Sequence, residues 1–318
     1  MRFTIREAGD REGDLATIVR LVNEITPDDP DSVENLEWSD STYPGTSRFI
    51  AEADGRPVGV ATVGRIFMHE PEFEAFWASI GVVATARRQG IGTALLRKVS
   101  DRARSRGKHV LHVPANEARP DGIAFLTSRG FVEYERSKAV NLDLAGIEPP
   151  RVDVPDGIVL TTLAERPDLV EGIYAVAVEA FADIPGEETP IATGDLAEFR
   201  GREIDRPGIP HDGFIVALNE TTGRVVGYAS LIRIPGAARP SAWHDMTAVA
   251  RDHRGRGLAA AMKRAIIRWA IADGVEVLEA GNDTDNAAMR AVNARLGYRP
   301  LPDNVILRGP LFDGIMSA

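Results

Sequence analysis

Arg87-Arg88-Gln89-Gly90-Ile91-Gly92 and Arg254-Gly255-Arg256-Gly257-Leu258-Ala259 decide how this chain is read, because they are one motif written twice. Both have the form Arg-x-x-Gly-x-(Gly/Ala). A second pair lies downstream, Arg129-Gly130-Phe131 and Leu296-Gly297-Tyr298. The same 43 positions separate Arg87 from Gly130 and Arg254 from Gly297. A third pair lies upstream: 49–53, Asp54-Gly55-Arg56 and 58–61 read as strand, tight turn and strand, and so do 214–218, Thr222-Gly223-Arg224 and 225–229. Three features in one order, offset by about 167 residues, indicate duplication. The turn-rich stretch through Glu148-Pro149-Pro150 and Val154-Pro155-Asp156-Gly157 separates the copies. The expected domains are therefore 1–147 and 156–318.

Working outward from each motif gives the element order. A strand precedes it, Ser79-Ile80-Gly81-Val82-Val83 or Met246-Thr247-Ala248-Val249. An amphipathic helix follows, with Ile91, Leu95, Val99 and Ala103 on one face and Gly107 as C-cap; Leu258, Met262, Ile266, Trp269 and Gly274 repeat the pattern. Next come a strand (109–113, 275–278) and a helix ending at the Gly-aromatic pair. Each half opens with a short strand (Thr4-Ile5-Arg6, Val159-Leu160-Thr161) and a helical segment (14–23, 169–181). The fold class is α/β in the broad sense (α+β): a tandem duplicated fold, each copy a mixed, mostly antiparallel sheet with helices on both faces. The stretches 26–46 and 183–210 read as loops that wall a pocket.

Composition bounds the function. With 318 residues, 44% hydrophobic and 26% charged, the chain suits two globular domains. A formal net charge of -10 argues against nucleic acid or an anionic membrane as partner and mildly favours an amine. There is no Cys for a disulfide, thiolate site or nucleophile, and the six His show no metal-ligand spacing. No Gly-x-Ser-x-Gly or phosphate-loop Gly-x-x-x-x-Gly-Lys-Ser/Thr pattern occurs. The start carries no apolar signal segment, and no apolar run approaches the roughly 20 residues of a membrane span, so a cytoplasmic monomer or homodimer is expected.

A turn of this composition at a helix start suits a pyrophosphate. The first N–H groups of a helix are unpaired and sit at its positive dipole end. Gly90, Gly92 and Gly257 let phosphate oxygens approach the backbone, and Arg87 or Arg254 can add charge-assisted bonds. For one copy the plain alternative is an ordinary Gly-rich turn; two copies at matched spacing disfavour it. A dinucleotide turn competes, since Gly255-x-Gly257-x-x-Ala260 is followed by Glu279 at the end of the next strand. The first copy lacks both the third small residue and the acid. The turn also comes late in each half, with too little chain after it for the remaining parallel strands.

The segments 82–96 and 249–259 resemble the acyl-CoA-binding motif of the GCN5-related N-acetyltransferases, the GNAT superfamily. Phe125-Leu126-Thr127-Ser128-Arg129-Gly130-Phe131 resembles the helix and Gly-Phe strand that follow it, and the Asn-rich stretch from Asn282 to Tyr298 resembles the version in many bacterial members. The tandem layout is similar to that of the mycothiol synthases. The resemblance implies acetyl-CoA as donor, a small-molecule amine as acceptor, and direct attack without a covalent enzyme intermediate. It places the pyrophosphate on Arg87, Arg88, Gln89, Gly90, Ile91, Gly92 and Thr93, and on Arg254, Gly255, Arg256, Gly257, Leu258 and Ala259. It sets the pantetheine at a bulged, splayed strand along Ile80 and Val82, and along Thr247 and Val249.

Transfer from a protonated amine needs a proton acceptor and a donor for the thiolate. Asp245, nine residues before Arg254, is the candidate acceptor, with Glu70, Glu72 and Glu74 weaker candidates in the first copy. The resemblance puts a Tyr four residues before the Gly-aromatic pair, where this chain has Leu126 and Asn293. Asn293 can bond CoA or water, and Asn286 lies two helical turns before it on the same face. The second copy is thus the favoured catalytic site. The rival readings are an acyl-CoA-binding sensor and a nucleotide-dependent oxidoreductase.

Overall fold

The structure, a computed structural model, describes residues 2–9, 11–67, 69–184 and 193–314. In chain order the elements are β1 (Phe3–Glu7), α1 (Asp14–Ile25), α2 (Val33–Thr42), β2 (Ser47–Ala53), β3 (Arg56–Arg65), β4 (Ala75–Val82), α3 (Ile91–Ser105), β5 (Val110–Asn116), α4 (Pro120–Thr127) and β6 (Val132–Asp143). The order then repeats: β7 (Ile158–Thr162), α5 (Val170–Phe181), α6 (Leu196–Glu203), β8 (Ile215–Asn219), β9 (Val225–Arg233), β10 (Ser241–Val249), α7 (Leu258–Ala272), β11 (Val277–Asp283), α8 (Ala287–Arg295), β12 (Arg299–Pro300) and β13 (Asn304–Pro310).

The elements form where the sequence pattern asks for them. Ile91, Leu95, Leu96, Val99 and Ala103 are buried along one face of α3, and Leu258, Met262, Ile266 and Ala270 along α7. The β2–β3 hairpin closes on Asp54 and Gly55, both at positive φ (49° and 75°), a mirror-image turn whose twist matches the flanking strands. The stretches read as loops each contain a helix. Ser32 caps α2 by accepting from the Asn35 N–H at 3.1 Å, and Asp195 caps α6 by accepting from the Glu198 N–H at 2.9 Å. The part of the second stretch at 185–192 lies outside the described residues.

Two compact units emerge. The first holds residues 1–136, 235–237 and 302–318, and the second holds 137–234 and 238–301. Its own strands order the first sheet β1-β2-β3-β4-β5-β13; the second runs β7-β8-β9-β10-β11-β6, with β12 also on β6. The contiguous split at 147/156 therefore marks the repeat, while the compact units exchange their last strands. β13 pairs antiparallel with β5 from Asn304↔Asn116 to Pro310↔Val110, and β6 pairs with β11 from Asp143↔Val277 to Ser137↔Asp283. Most neighbours are antiparallel; β4–β5 and β10–β11 are parallel. In the second unit α7 covers one sheet face, packed on Ala229 and Leu231, and α5 and α6 cover the other, packed on Val216 and Tyr228.

Candidate active site

The two motif turns have one backbone. Gly90 and Gly257 begin α3 and α7, both at φ 84°, and two residues earlier Arg88 and Gly255 sit at φ 61° and 75°. No side chain caps either helix, so the first-turn N–H groups stay open. A Cβ built on Gly90, Gly255 or Gly257 meets nothing within 4 Å, which leaves space for an anion over the turn. These residues fit a pyrophosphate.

The arginines that open the motifs each turn back to the strand before them. Arg87 Nε donates to the Val82 carbonyl at 3.1 Å, and Arg254 Nε to the Val249 carbonyl at 2.9 Å. Each fastens its turn to the strand before it. Arg254 also pairs with Asp183 at 2.8 Å, and Arg251 beside Asp183, then Arg254, hold that carboxyl well below the usual range. Thr93 is engaged as well: its hydroxyl accepts from Arg129 at 2.9 Å, and Arg129 lies 3.9 Å over the Phe125 ring. Ala260, Leu296 and Val292 stand at the matching places in the second copy and cannot build that contact.

A wedge opens beyond each turn. β4 and β5 pair over Ala75–Trp77 with Val110–His112 and then diverge; β10 and β11 pair over Ser241–Trp243 with Val277–Glu279 and do the same. Ile80, Val82, Thr247 and Val249 lie on the diverging edges, half-buried. The copies differ on the other side of that strand. β9–β10 carries a bulge between His244 and Thr247, where Asp245 and Met246 stand against one residue, Ser230. β3–β4 runs without interruption from Gly59↔Val82 to Arg65↔Phe76. The bulge expected for both copies is thus present in the second alone.

Both bulge residues, Asp245 and Met246, face α5 and α6, while His244 before them faces α7. On the α6 face, half-buried Asp245 is hydrogen-bonded to Glu203 and Ser230. Burial pushes the Glu203 carboxyl up to about 8, with Asp245 adding to the shift, and burial also raises Asp245. Two carboxyls so placed share a proton. The Tyr228 hydroxyl, fully buried beside them, has no hydrogen-bond partner among the described residues. Arg202 ion-pairs Glu203 at 3.6 Å. On the α7 face, His244 Nε2 hydrogen-bonds the Tyr298 hydroxyl, and Lys263 Nζ donates to Asn293 Oδ1 at 2.8 Å. Asn293 Nδ2 in turn donates to Asn282 Oδ1 at 2.6 Å.

Asn293 is only 1% exposed and bonded at both ends of its carboxamide, which makes it a positioning residue. Asn286 caps α8, its Oδ1 accepting from the Met289 N–H at 3.1 Å, so its side chain serves the helix. In the first copy Glu74 pairs with Arg308, while Glu70 and Glu72 are exposed. Sequence reading missed Glu203 and Lys263. The capping pattern Asp195-x-x-Glu198 was the available signal for the helix that delivers Glu203. A lysine on the apolar face of α7 was the signal for Lys263. A cavity of about 440 Å³ lies elsewhere, between α1, α2 and β2, and Asp14, Asp40 and Arg48 among its charged residues are already paired. Among the described residues no group of His, Asp and Glu could hold a metal, and no helix is long and apolar enough to cross a membrane.

Duplicated turns, diverging strands and mostly antiparallel sheets define an acyl-CoA-dependent transferase, and comparison agrees. The acetyltransferase (GNAT) family profile matches residues 15–131 and 178–298. The chain belongs to that family, twice over, and is an N-acetyltransferase that uses acetyl-CoA as donor. Mycothiol acetyltransferase of Saccharomonospora viridis is 31% identical over 232 residues, 69% of each chain. That of Nocardiopsis dassonvillei is 27% identical over 289 residues, 85% of this chain and 84% of its own. L-2,4-diaminobutyric acid acetyltransferase of Nocardia farcinica is 32% identical over 117 residues, 36% of this chain and 58% of its own. A tandem GNAT protein from the clavulanic acid biosynthesis pathway shares the fold with a TM-score of 0.79, at 20% identity over 99% of this chain and 100% of that one. The dinucleotide reading falls with this sheet, which is not the doubly wound parallel one it requires.

Proposed function

We propose that the second unit is the transfer site and that it acetylates a primary amine of a small molecule. The observation that carries this is Asp245, lodged in the β10 bulge beside the wedge and hydrogen-bonded to Glu203. The turn from Arg254 to Ala259 would receive the pyrophosphate on open N–H groups. The edge of β10 at Thr247 and Val249 would align the pantetheine by backbone pairing. Bound acetyl-CoA supplies the activated acyl group. The amine enters from the α6 face, where the Asp245–Glu203 pair takes its proton. The Tyr228 ring lies buried beside the pair. The 2,4-diaminobutyrate and mycothiol enzymes among the relatives make amino-acid and thiol-bearing amines the first acceptors to try.

The first unit reads differently. Its turn is intact, but Ser79 stands where the bulge residues would be, and Leu96, Ala115, Leu126 and Phe131 take the places of Lys263, Asn282, Asn293 and Tyr298. It suits acyl-CoA binding without transfer.

The experiment is CoA release over a panel of primary amines, with Asp245→Asn and Glu203→Gln. Each variant should lose about 100-fold or more in kcat. The pair must give up a proton to work and its pKa is raised, so activity should climb with pH through neutrality as Glu203 ionises near 8. Full activity of Asp245→Asn across the panel would refute the assignment.

A further inference from the structure

Lys263 is 2% exposed, and among the described residues no carboxylate pairs with it. Its single hydrogen bond goes to the neutral Asn293, and its ammonium lies 5.3 Å from the Tyr298 ring. A cation kept in a dry site without an anion is costly, and folding alone does not explain it. Leu96 at the matching place in the first copy shows that an apolar residue serves the packing.

Its location supplies a reason. His244 is the last β10 residue before the bulge, and Asn282 belongs to β11 beyond the point where the two strands part. Lys263 comes from α7, on the sheet face opposite Asp245 and Glu203, and joins the β11 side of the wedge through Asn293, which it bonds and which bonds Asn282. The titratable groups facing it are His244 and Tyr298. His244 is held neutral by burial and then by Lys263 itself, and burial keeps Tyr298 a phenol. Otherwise β8, β9 and β11 send apolar side chains into this core, among them Ala217, Ala229, Leu231, Leu278 and Ala280.

We propose that Lys263 is the acid for the leaving group, donating its proton to the CoA sulfur. The inference rests on the second unit being the transfer site. The amine nitrogen bonds to the acetyl carbon, and the carbon–sulfur bond breaks with its electron pair going to sulfur. The Lys263 ammonium gives sulfur a proton, the Asp245–Glu203 pair takes one from the amine nitrogen, and solvent restores both groups. The anion missing from the resting site is thus the one that the reaction makes. Burial brings Lys263 down to about 7, within reach of a thiol, so the proton is held loosely enough to pass on.

The test is Lys263→Met. Removing an unpaired buried charge while keeping its volume should raise Tm, yet kcat should fall about 100-fold with KM for acetyl-CoA changed by less than about threefold. Because the active form needs Lys263 protonated and the carboxyl pair ionised, the wild-type pH profile should peak between about 7 and about 8; in Lys263→Met its alkaline fall should vanish, leaving a rise to a plateau above about 8. A second reading needs only the wild-type protein. Ultraviolet titration of bound CoA should show its thiol ionising at a pH shifted from that of free CoA, because a group that exchanges a proton with the sulfur couples to its titration. Unchanged kcat, an alkaline limb that persists in Lys263→Met, or an unshifted thiol would each overturn the proposal. If Asp245→Asn is also fully active, the transfer-site reading fails with it; if Asp245→Asn is inactive, only the role of Lys263 falls.

Discussion

At Gly257 the backbone holds φ 84° with open space where a Cβ would go, so two substitutions there separate strain from occupancy. Gly257→Ala adds only a left-handed alanine, a cost of about 1–2 kcal/mol, and should weaken acetyl-CoA binding by less than Gly257→Glu, which sets a carboxylate where the pyrophosphate belongs. Calorimetric titration should show the second site lost in Gly257→Glu and the first untouched; equal binding by the two variants would refute the cradle. The residue scale also has a structural case in Asp14. It is 5% exposed, hydrogen-bonded to Arg6 at 2.6 and 2.8 Å and to the Gly9 N–H at 2.9 Å. The Arg6 guanidinium holds its carboxyl far below the usual range. A depressed pKa contributes stability above the unfolded value and loses it as pH falls below about 4. Asp14→Asn, which leaves half-buried Arg6 with Glu52 alone, should cost about 1–3 kcal/mol at neutral pH in urea unfolding and flatten the acid side of the stability curve. The motif glycines were legible because positive φ leaves few alternatives. The sequence could not say that Arg87 and Arg254 turn back to a strand carbonyl, because that choice depends on where the turn places the guanidinium.

Among elements the β10 bulge separates the two copies, and it leaves a trace in the sequence. The repeat offset is 167 at Arg254 and Arg87, but Ser241 occupies the register place of Ala75, an offset of 166. One extra residue therefore enters β10 between them, and Asp245-Met246 is where it sits. Aligning the turns alone hides this; aligning strands as well would have found it. The extra residue puts Asp245 and Met246 on one face of the sheet, so that His244 and Thr247, three positions apart, share the other. Deleting Met246 should restore the continuous pairing of β3–β4. Such a protein should fold with Tm near the parent and still bind acetyl-CoA at the Gly257 turn, while transfer falls by about 100-fold or more because Asp245, still on the α6 face, loses the local bend that aims it at Glu203. Transfer at the parental rate would show that the bulge has no part in it. The helices α2 and α6 were less legible. Their amphipathic pattern is weak, and only the caps Ser32 and Asp195 mark them.

At the scale of the whole molecule the exchange of last strands was beyond the sequence. β6 and β13 each follow a Gly-aromatic pair or its short extension, and both read as ordinary strands. Nothing local tells β6 to choose β11 over β5, since either edge offers the same row of backbone groups. The choice fixes what can fold alone. A fragment of residues 156–318 keeps β11 but loses β6, and with it all the pairs from Ser137↔Asp283 to Asp143↔Val277 and the buried Leu142 and Leu144. It also carries β13 without β5, a strand whose Val305 and Leu307 are buried only in the first unit's core. An unpaired long edge and an orphaned apolar strand favour aggregation. The fragment 137–301 retains the part of β6 that pairs with β11 and every other strand of the second sheet, and omits β13. Expressed side by side, 137–301 should be soluble and unfold in one cooperative urea transition, and 156–318 should aggregate or unfold without a clear transition. The reverse ranking would mean that the repeat boundary, and not the exchanged strand, sets the folding unit.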